Sequence, residues 1–173
     1  MNTTLNYLKL SLIIFLATLA LGVIFIIIPK IYKKSVENKV AIQNRQLLAL
    51  TEFKTIDDHT FSIKGVPSII IFFSSTCPFC VEEIETIQKN KTLFTVPIIM
   101  ISDEDAAVLA DIAKTYGIAE TSPIKLVSDG SKEYHKYFLP TGIPSIFIYD
   151  ASGSLVKQFQ GETKVETLIK YMQ

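Results

Sequence analysis

The sequence predicts an α/β domain, a mixed β-sheet flanked by helices on both faces, preceded by one transmembrane helix. Three observations carry this reading. Short apolar runs alternate with stretches of helical length and pattern, an uncharged apolar tract of membrane length lies near the N-terminus, and the last two apolar runs are joined by the tight turn Asp150-Ala151-Ser152-Gly153.

The 173 residues are 49% hydrophobic and 20% charged, enough apolar material for one core, with disorder expected only in a short linker. Lys plus Arg and Asp plus Glu each total 17, so net charge gives no argument for a nucleic-acid or strongly acidic partner, and no nucleic acid is expected. Two cysteines, Cys77 and Cys80, exclude a disulfide-rich scaffold and put every thiol of the chain in one motif.

Residues 10–28 read LSLIIFLATLALGVIFIII without a charge, and as a helix they span about the 30 Å of a bilayer's hydrocarbon core. A cleaved signal peptide would cut near Thr18-Leu19-Ala20, but the apolar tract continues over 21–28, which favours a retained anchor. The expected organisation is a membrane anchor over 1–34, a polar linker or stalk over 35–52 and one globular domain over 53–173. Lys9 flanks the tract on one side; Lys30, Lys33, Lys34, Lys39 and Arg45, against Glu37, flank it on the other. Taken alone, that charge bias points the domain into the cytoplasm.

Within the domain, 53–63 reads as two short strands around Asp57-Asp58, and SIIIFF at 68–73 as a central strand buried on both faces. A helix over 78–89 follows, with proline in its first turn, then a buried strand over 96–102. Ser102-Asp103-Glu104-Asp105 reads as an N-cap with acids in the first turn of a helix that ends at Gly117. A strand at 125–127, a helix over 131–138, strands at 145–149 and 155–160, and a terminal helix over 163–172 complete the order.

Between the central strand and the first helix lies Ser74-Ser75-Thr76-Cys77-Pro78-Phe79-Cys80. Cys77 falls at the helix N-terminus, where free N–H groups and the helix dipole favour a thiolate able to attack a substrate disulfide. Cys80, one turn inward on the same side, is set to attack the resulting mixed disulfide. The expectation is an exposed Cys77 and a buried Cys80. A lone CxxC is also half of a zinc site, but completing it would need His59, His135 or another chain, and copper capture by Cys77, Cys80 and His135 is a related alternative. Both histidines lie in polar surroundings typical of surface residues, and no metal ligand is assigned. A second element, Thr141-Gly142-Ile143-Pro144-Ser145, opens the strand SIFIY, where a proline after an extended Ile can hold a cis bond or simply begin an edge strand.

Together these segments resemble the thioredoxin superfamily, and within it the membrane-anchored TlpA/ResA-like thiol-disulfide interchange proteins. FKTIDDHTFSI looks like that branch's extra N-terminal strands, SIIIFFSSTCPFC like its central strand and active site, and GIPSIFIYDASGSLV like its cis-proline loop and final hairpin. The resemblance implies a thioredoxin-like mixed sheet and thiol-disulfide oxidoreductase activity on protein thiols and disulfides, with no cofactor beyond a redox-active Cys77–Cys80 disulfide. It further implies a cis Ile143–Pro144 bond facing the cysteines, and substrate contact by Pro78, Phe79, Ile143 and Pro144. A domain on the extracytoplasmic side, beside a membrane-embedded electron donor, is implied too, against the charge bias of the anchor. Two departures stand out: Thr76 occupies the usual Trp position, and the central strand lacks the buried acid of classical thioredoxins.

Another carboxylate can take that acid's place. On a helix Glu83 lies about 60° from Cys80, whereas Glu82 and Glu85 lie roughly 140° to 160° away. The TlpA/ResA-like branch carries a glutamate three residues past its second cysteine, which implies that Glu83 exchanges a proton with Cys80; a solvated helix charge is the plain alternative. Pro78-Phe79 gives the first thiolate no charge or hydrogen bond, and Ile143 resembles the apolar residue of reducing thioredoxins. A reductant or shuttle is therefore expected rather than a strong oxidant. A peroxiredoxin is a lesser alternative: Ser74 could serve Cys77, but Ile70 occupies the place for Pro. A non-catalytic copper-binding or scaffold protein is the remaining one.

Overall fold

Ser68–Phe72 is the middle strand of a five-stranded sheet, and all five of its residues are buried. An apolar side chain on each side of the backbone demands cover on both faces, and the rest of the fold supplies it. The structure, a computed structural model, describes residues 50–172 together with Leu16, Thr18, Gly22, Ile27, Ile28, Pro29 and Lys30. The chain divides into two units, Met1–Val40 and Ala41–Gln173. In the first, the described residues are helical; the remainder of the anchor expected at 10–28, and most of the linker expected at 35–52, lie outside the described residues. Among the described residues no helix is long and apolar enough to cross a membrane.

In the second unit the order is β1 (Glu52–Lys54), β2 (Thr60–Ser62), β3 (Ser68–Phe72), α1 (Pro78–Lys89), β4 (Ile98–Ser102), α2 (Ala106–Tyr116), β5 (Ile124–Ser128), α3 (Glu133–Phe138), β6 (Ser145–Tyr149), β7 (Leu155–Gln160) and α4 (Val165–Lys170). The sheet runs β5-β4-β3-β6-β7, and β1-β2 form a separate hairpin. β3, β4 and β5 are parallel, while β6 is antiparallel to β3 and to β7. The hairpin reaches the β5 edge through Ile56 N–H, which donates to the Leu126 carbonyl at 3.1 Å. The expected mixed sheet with extra N-terminal strands is thus present.

The two-residue period of the strands divides the apolar side chains between two cores. Ile69, Ile71, Ile98, Met100, Ile146 and Ile148 face one side with Cys80 and Ile84 of α1, Leu109 of α2 and Leu168 of α4. Ile70, Phe72, Ile99, Ile101, Phe147 and Tyr149 face the other with Phe138 of α3 and Phe53 and Ile63 of the hairpin. Each fully buried Ile or Phe contributes about 1.5–3 kcal/mol relative to exposure, so this alternation anchors the element that carries the cysteines.

Several boundaries differ from the sequence reading. The strand expected from 96 begins at Ile98, the helix expected from 131 begins at Glu133, and the terminal helix is trimmed to Val165–Lys170. The acids before α2 do not form its first turn. Ser102 still belongs to β4, Asp105 is the N-cap without a side-chain cap bond, and Glu104 turns away to another loop. The C-terminus of α2 follows expectation: Gly117 adopts φ 63°, the left-handed cap that glycine takes without strain.

Candidate active site

β3 ends inside the sheet and its continuation emerges at the sheet's end, so Cys77 becomes the N-cap of α1 with Pro78 in the first turn. Proline suits that place because the first helical N–H has no partner in any case. Cys77 N–H donates to the Ser74 carbonyl at 3.2 Å, and the Cys77 carbonyl accepts from Cys80 N–H at 3.0 Å and Val81 N–H at 3.1 Å. Both cysteines are free thiols; Cys80 is buried and Cys77 half-buried rather than fully exposed. The loop before β6 covers it: Cys77 Sγ lies 3.9 Å from the Ile143 carbonyl oxygen.

That loop contains the cis Ile143–Pro144 bond. Pro144 is buried, and its carbonyl accepts from Gly161 N–H at 2.8 Å, while Ser145 Oγ donates to the Gly142 carbonyl at 2.6 Å. Ile143 stays 42% exposed and Phe79 62% exposed, so two large apolar side chains stand open beside a half-open thiol. Pro78 is exposed as well. The four positions expected to touch substrate therefore divide: Pro78, Phe79 and Ile143 offer surface, and Pro144 supports it from below.

Burial pushes the Cys80 thiol up to about 12. The Ser74 backbone opposes this, and Cys77 and Glu83 add to it. Glu83 is 1% exposed, and Thr163 N–H donates to its Oε2 at 2.8 Å. Its Oε1 has no hydrogen-bond partner among the described residues. Burial raises this carboxyl to about 7; the Thr163 bond opposes the rise and the charge of Glu162 adds to it. A buried, half-satisfied carboxyl next to a buried thiol is not a solvated helix charge.

Glu104 is the group that sequence reasoning missed. Its carboxylate accepts from Ser75 N–H at 3.0 Å, Ser75 Oγ at 2.5 Å, Ser102 Oγ at 2.9 Å and Ser74 Oγ at 3.3 Å. Burial acts to raise its pKa, yet the bonds from Ser75, Ser102 and Ser74 outweigh that and hold it below the usual carboxylate range. Three serines spaced around one later glutamate were the available signal, readable only once β4 is known to lie beside β3.

The histidines do not converge on the cysteines. His135 is half-buried, not a free surface residue: its Nδ1 lies 2.6 Å from Oδ2 of buried Asp129, and its ring meets Phe72 edge-on. Among the described residues, the grouping of three possible metal ligands is Asp57, His59 and Glu120, all exposed, and it contains neither cysteine.

A dithiol at a helix N-terminus, faced by a cis-proline loop on a β5-β4-β3-β6-β7 sheet, defines a thioredoxin-type domain. A family model described as a thioredoxin-like domain matches residues 56–173, and the chain belongs to that family. No curated protein matches it in sequence. Among solved structures it is similar to StoA from Bacillus subtilis, at 23% identity and TM-score 0.63, covering 74% of this chain and 99% of that one. It is also similar to a secreted Mycobacterium tuberculosis disulfide oxidoreductase homologous to E. coli DsbE, at 17% identity and TM-score 0.58, covering 70% and 92%. A peroxiredoxin-like protein from Aquifex aeolicus shares the fold at 15% identity and TM-score 0.59, covering 70% and 81%. At these identities the likeness establishes the fold, and the chemistry has to be argued from the site.

Proposed function

We propose that this domain is a thiol-disulfide oxidoreductase that exchanges disulfides with protein substrates through Cys77 and Cys80. The observation that carries the reading is the contrast between the two thiols: Cys77 half-open at a helix N-terminus beside the Ile143 carbonyl, Cys80 buried next to Glu83. Neither the place for Pro at Ile70 nor the ligand grouping at Asp57, His59 and Glu120 supports a peroxidase or a metal centre at the motif.

In the reducing direction the Cys77 thiolate attacks one sulfur of a substrate disulfide, forming a mixed disulfide and expelling the other sulfur as a thiolate. Glu83 takes the proton of Cys80, whose sulfur then attacks Cys77 Sγ. The Cys77–Cys80 disulfide forms, the second substrate sulfur leaves, and two electrons have passed to the substrate. A carboxyl titrating at about 7 can accept that proton and return it near neutral pH, whereas water cannot readily reach a thiol held at about 12. Extended substrate backbone would pair along the cis-proline loop, with Phe79 and Ile143 contacting apolar side chains near the substrate cysteine.

The exchange needs no cofactor beyond the cysteine pair. Residues 10–28 tether the domain to a membrane, and the domain stands on the extracytoplasmic side beside a membrane-embedded electron donor, acting as a reductant or shuttle. The apolar length of the tract and the fold shared with a secreted disulfide oxidoreductase support this placement against the charge bias of the flanks. Labelling of intact cells with a membrane-impermeant maleimide, with and without prior reduction, tests side and redox state together. Full protection from label until lysis would put the domain in the cytoplasm.

A further inference from the structure

We propose that Glu104 is a positioning residue for the dithiol: its carboxylate holds the Ser74–Ser75 loop so that the Ser74 carbonyl meets Cys77 N–H where the helix carrying both thiols begins. The inference rests on the oxidoreductase reading and extends it to a side chain on a different loop.

The geometry is unusual in its demand for acceptors. Every group facing the Glu104 carboxylate is an available donor: Ser75 N–H, Ser75 Oγ, Ser74 Oγ and Ser102 Oγ. An ionised carboxylate is acceptor-only and can take all four, whereas an amide of the same shape would turn an NH2 toward donors. The carboxylate is itself pinned, because Glu104 N–H donates to Ser102 Oγ at 3.2 Å and the Glu104 carbonyl accepts from Ser128 Oγ at 2.7 Å. The clamp therefore ties the active-site loop to the ends of β4 and β5, two strands of the rigid sheet.

From there the route to sulfur is short. Ser74 Oγ accepts from Thr76 N–H at 3.3 Å, and the Ser74 carbonyl accepts from Cys77 N–H at 3.2 Å. Cys77 has no side-chain cap bond of its own, so the loop before it, and not its own side chain, sets where the helix begins. The Ser74 backbone also opposes the burial that raises Cys80. Moving Ser74 thus moves the start of the helix that carries both thiols.

The test uses the full-length chain and four variants: E104Q, Ser75→Ala, the double variant, and Ser128→Ala, which removes a bond on the far side of the clamp. The measurements are the rate of Cys77 alkylation by iodoacetamide across pH, the equilibrium constant with glutathione, and the melting temperature. E104Q should lower the alkylation rate at neutral pH by about five- to tenfold and shift the glutathione equilibrium by a similar factor. Ser75→Ala should act in the same direction and add less than its single effect on top of E104Q, since both act through one loop. If E104Q fails to fold, the Ser75→Ala and Ser128→Ala rates carry the test, with Ser75→Ala expected to be slower. Variants that melt earlier but alkylate and equilibrate as wild type does would overturn the proposal and leave Glu104 as a strut. A wild-type chain that forms no Cys77–Cys80 disulfide in any glutathione buffer would overturn the functional reading and the proposal together.

Discussion

Thr163 N–H donates to Glu83 Oε2 at 2.8 Å, so the loop after β7 reaches beneath α1 and holds one oxygen of a buried carboxyl whose other oxygen has no partner among the described residues. Two residues earlier, Gly161 N–H holds the Pro144 carbonyl. One short loop therefore touches both the proton-exchange candidate and the cis-proline loop.

Glu83 should make stability fall with rising pH. Its carboxyl is raised in the folded state from 4.5 to about 7, so the folded chain binds that proton more tightly than the unfolded one. The stabilisation is fully present below pH 4.5 and lost as pH rises through about 7, a difference on the order of 3 kcal/mol. Glu83→Gln should flatten that stretch of a urea-unfolding profile and leave the chain more stable than wild type at pH 8. The same variant should slow release of a trapped mixed disulfide by about a hundredfold at pH 7. An unchanged release rate would remove Glu83 from the chemistry.

Exposure sets the order of attack. Cys80→Ser should accumulate a mixed disulfide between Cys77 and substrate, because Cys77 is half-open and its partner is gone. Cys77→Ser should accumulate none, and its remaining thiol, buried and held far above neutral, should resist iodoacetamide at pH 8 until the chain is denatured. Equal trapping by both variants, scored by non-reducing electrophoresis, would contradict the assignment.

The parts legible in sequence were those written in local pattern. The continuous apolar run at Ser68–Phe72, the proline in the first turn of α1 and Gly117 at the end of α2 each declare an element through its own residues. The face of Glu83 followed from helical geometry alone. In sequence Glu104 reads as a first-turn acid of the helix that follows, because its neighbours invite that; its real partners, Ser74 and Ser75, lie some thirty positions away and meet it only because β3 and β4 pair in parallel. His135 reads as a surface residue for the same reason, since Asp129 looks solvent-facing until α3 folds over it.

The first core turn of α1 should be costly to empty. Ile84 is fully buried one turn beyond Cys80 and packs with Ile69, Ile71 and Leu168. Ile84→Ala should lower the unfolding free energy by about 2–5 kcal/mol, the lost transfer energy plus a cavity. Guanidinium unfolding monitored by circular dichroism checks this. A change below about 0.5 kcal/mol would mean that the helix carrying the cysteines is held elsewhere.

Phe79 should be a lever on redox poise. It is 62% exposed between the two cysteines and carries no hydrogen-bonding group, and Pro78 before it has no N–H to offer, so the dipeptide does nothing for the reduced sulfur. Anything that stabilises the dithiol form relative to the disulfide raises the potential, and a ring N–H or imidazolium at this position would do so. The wild-type potential is accordingly expected below roughly −200 mV, nearer to thioredoxin at about −270 mV than to the strong periplasmic oxidant at about −120 mV. Phe79→His should raise it by about 30 mV or more, a tenfold change in the two-electron equilibrium constant, because the side chain is open enough to accept the ring without disturbing the core. Its exposure also predicts a second effect that separates redox poise from substrate contact. Phe79→Ala should leave the glutathione equilibrium nearly unchanged while raising KM for a protein substrate, since it deletes apolar surface and adds no donor. Glutathione titration of both variants checks the pair of statements, and a wild-type potential close to that of the strong oxidant would reverse the direction of electron flow assigned to this site.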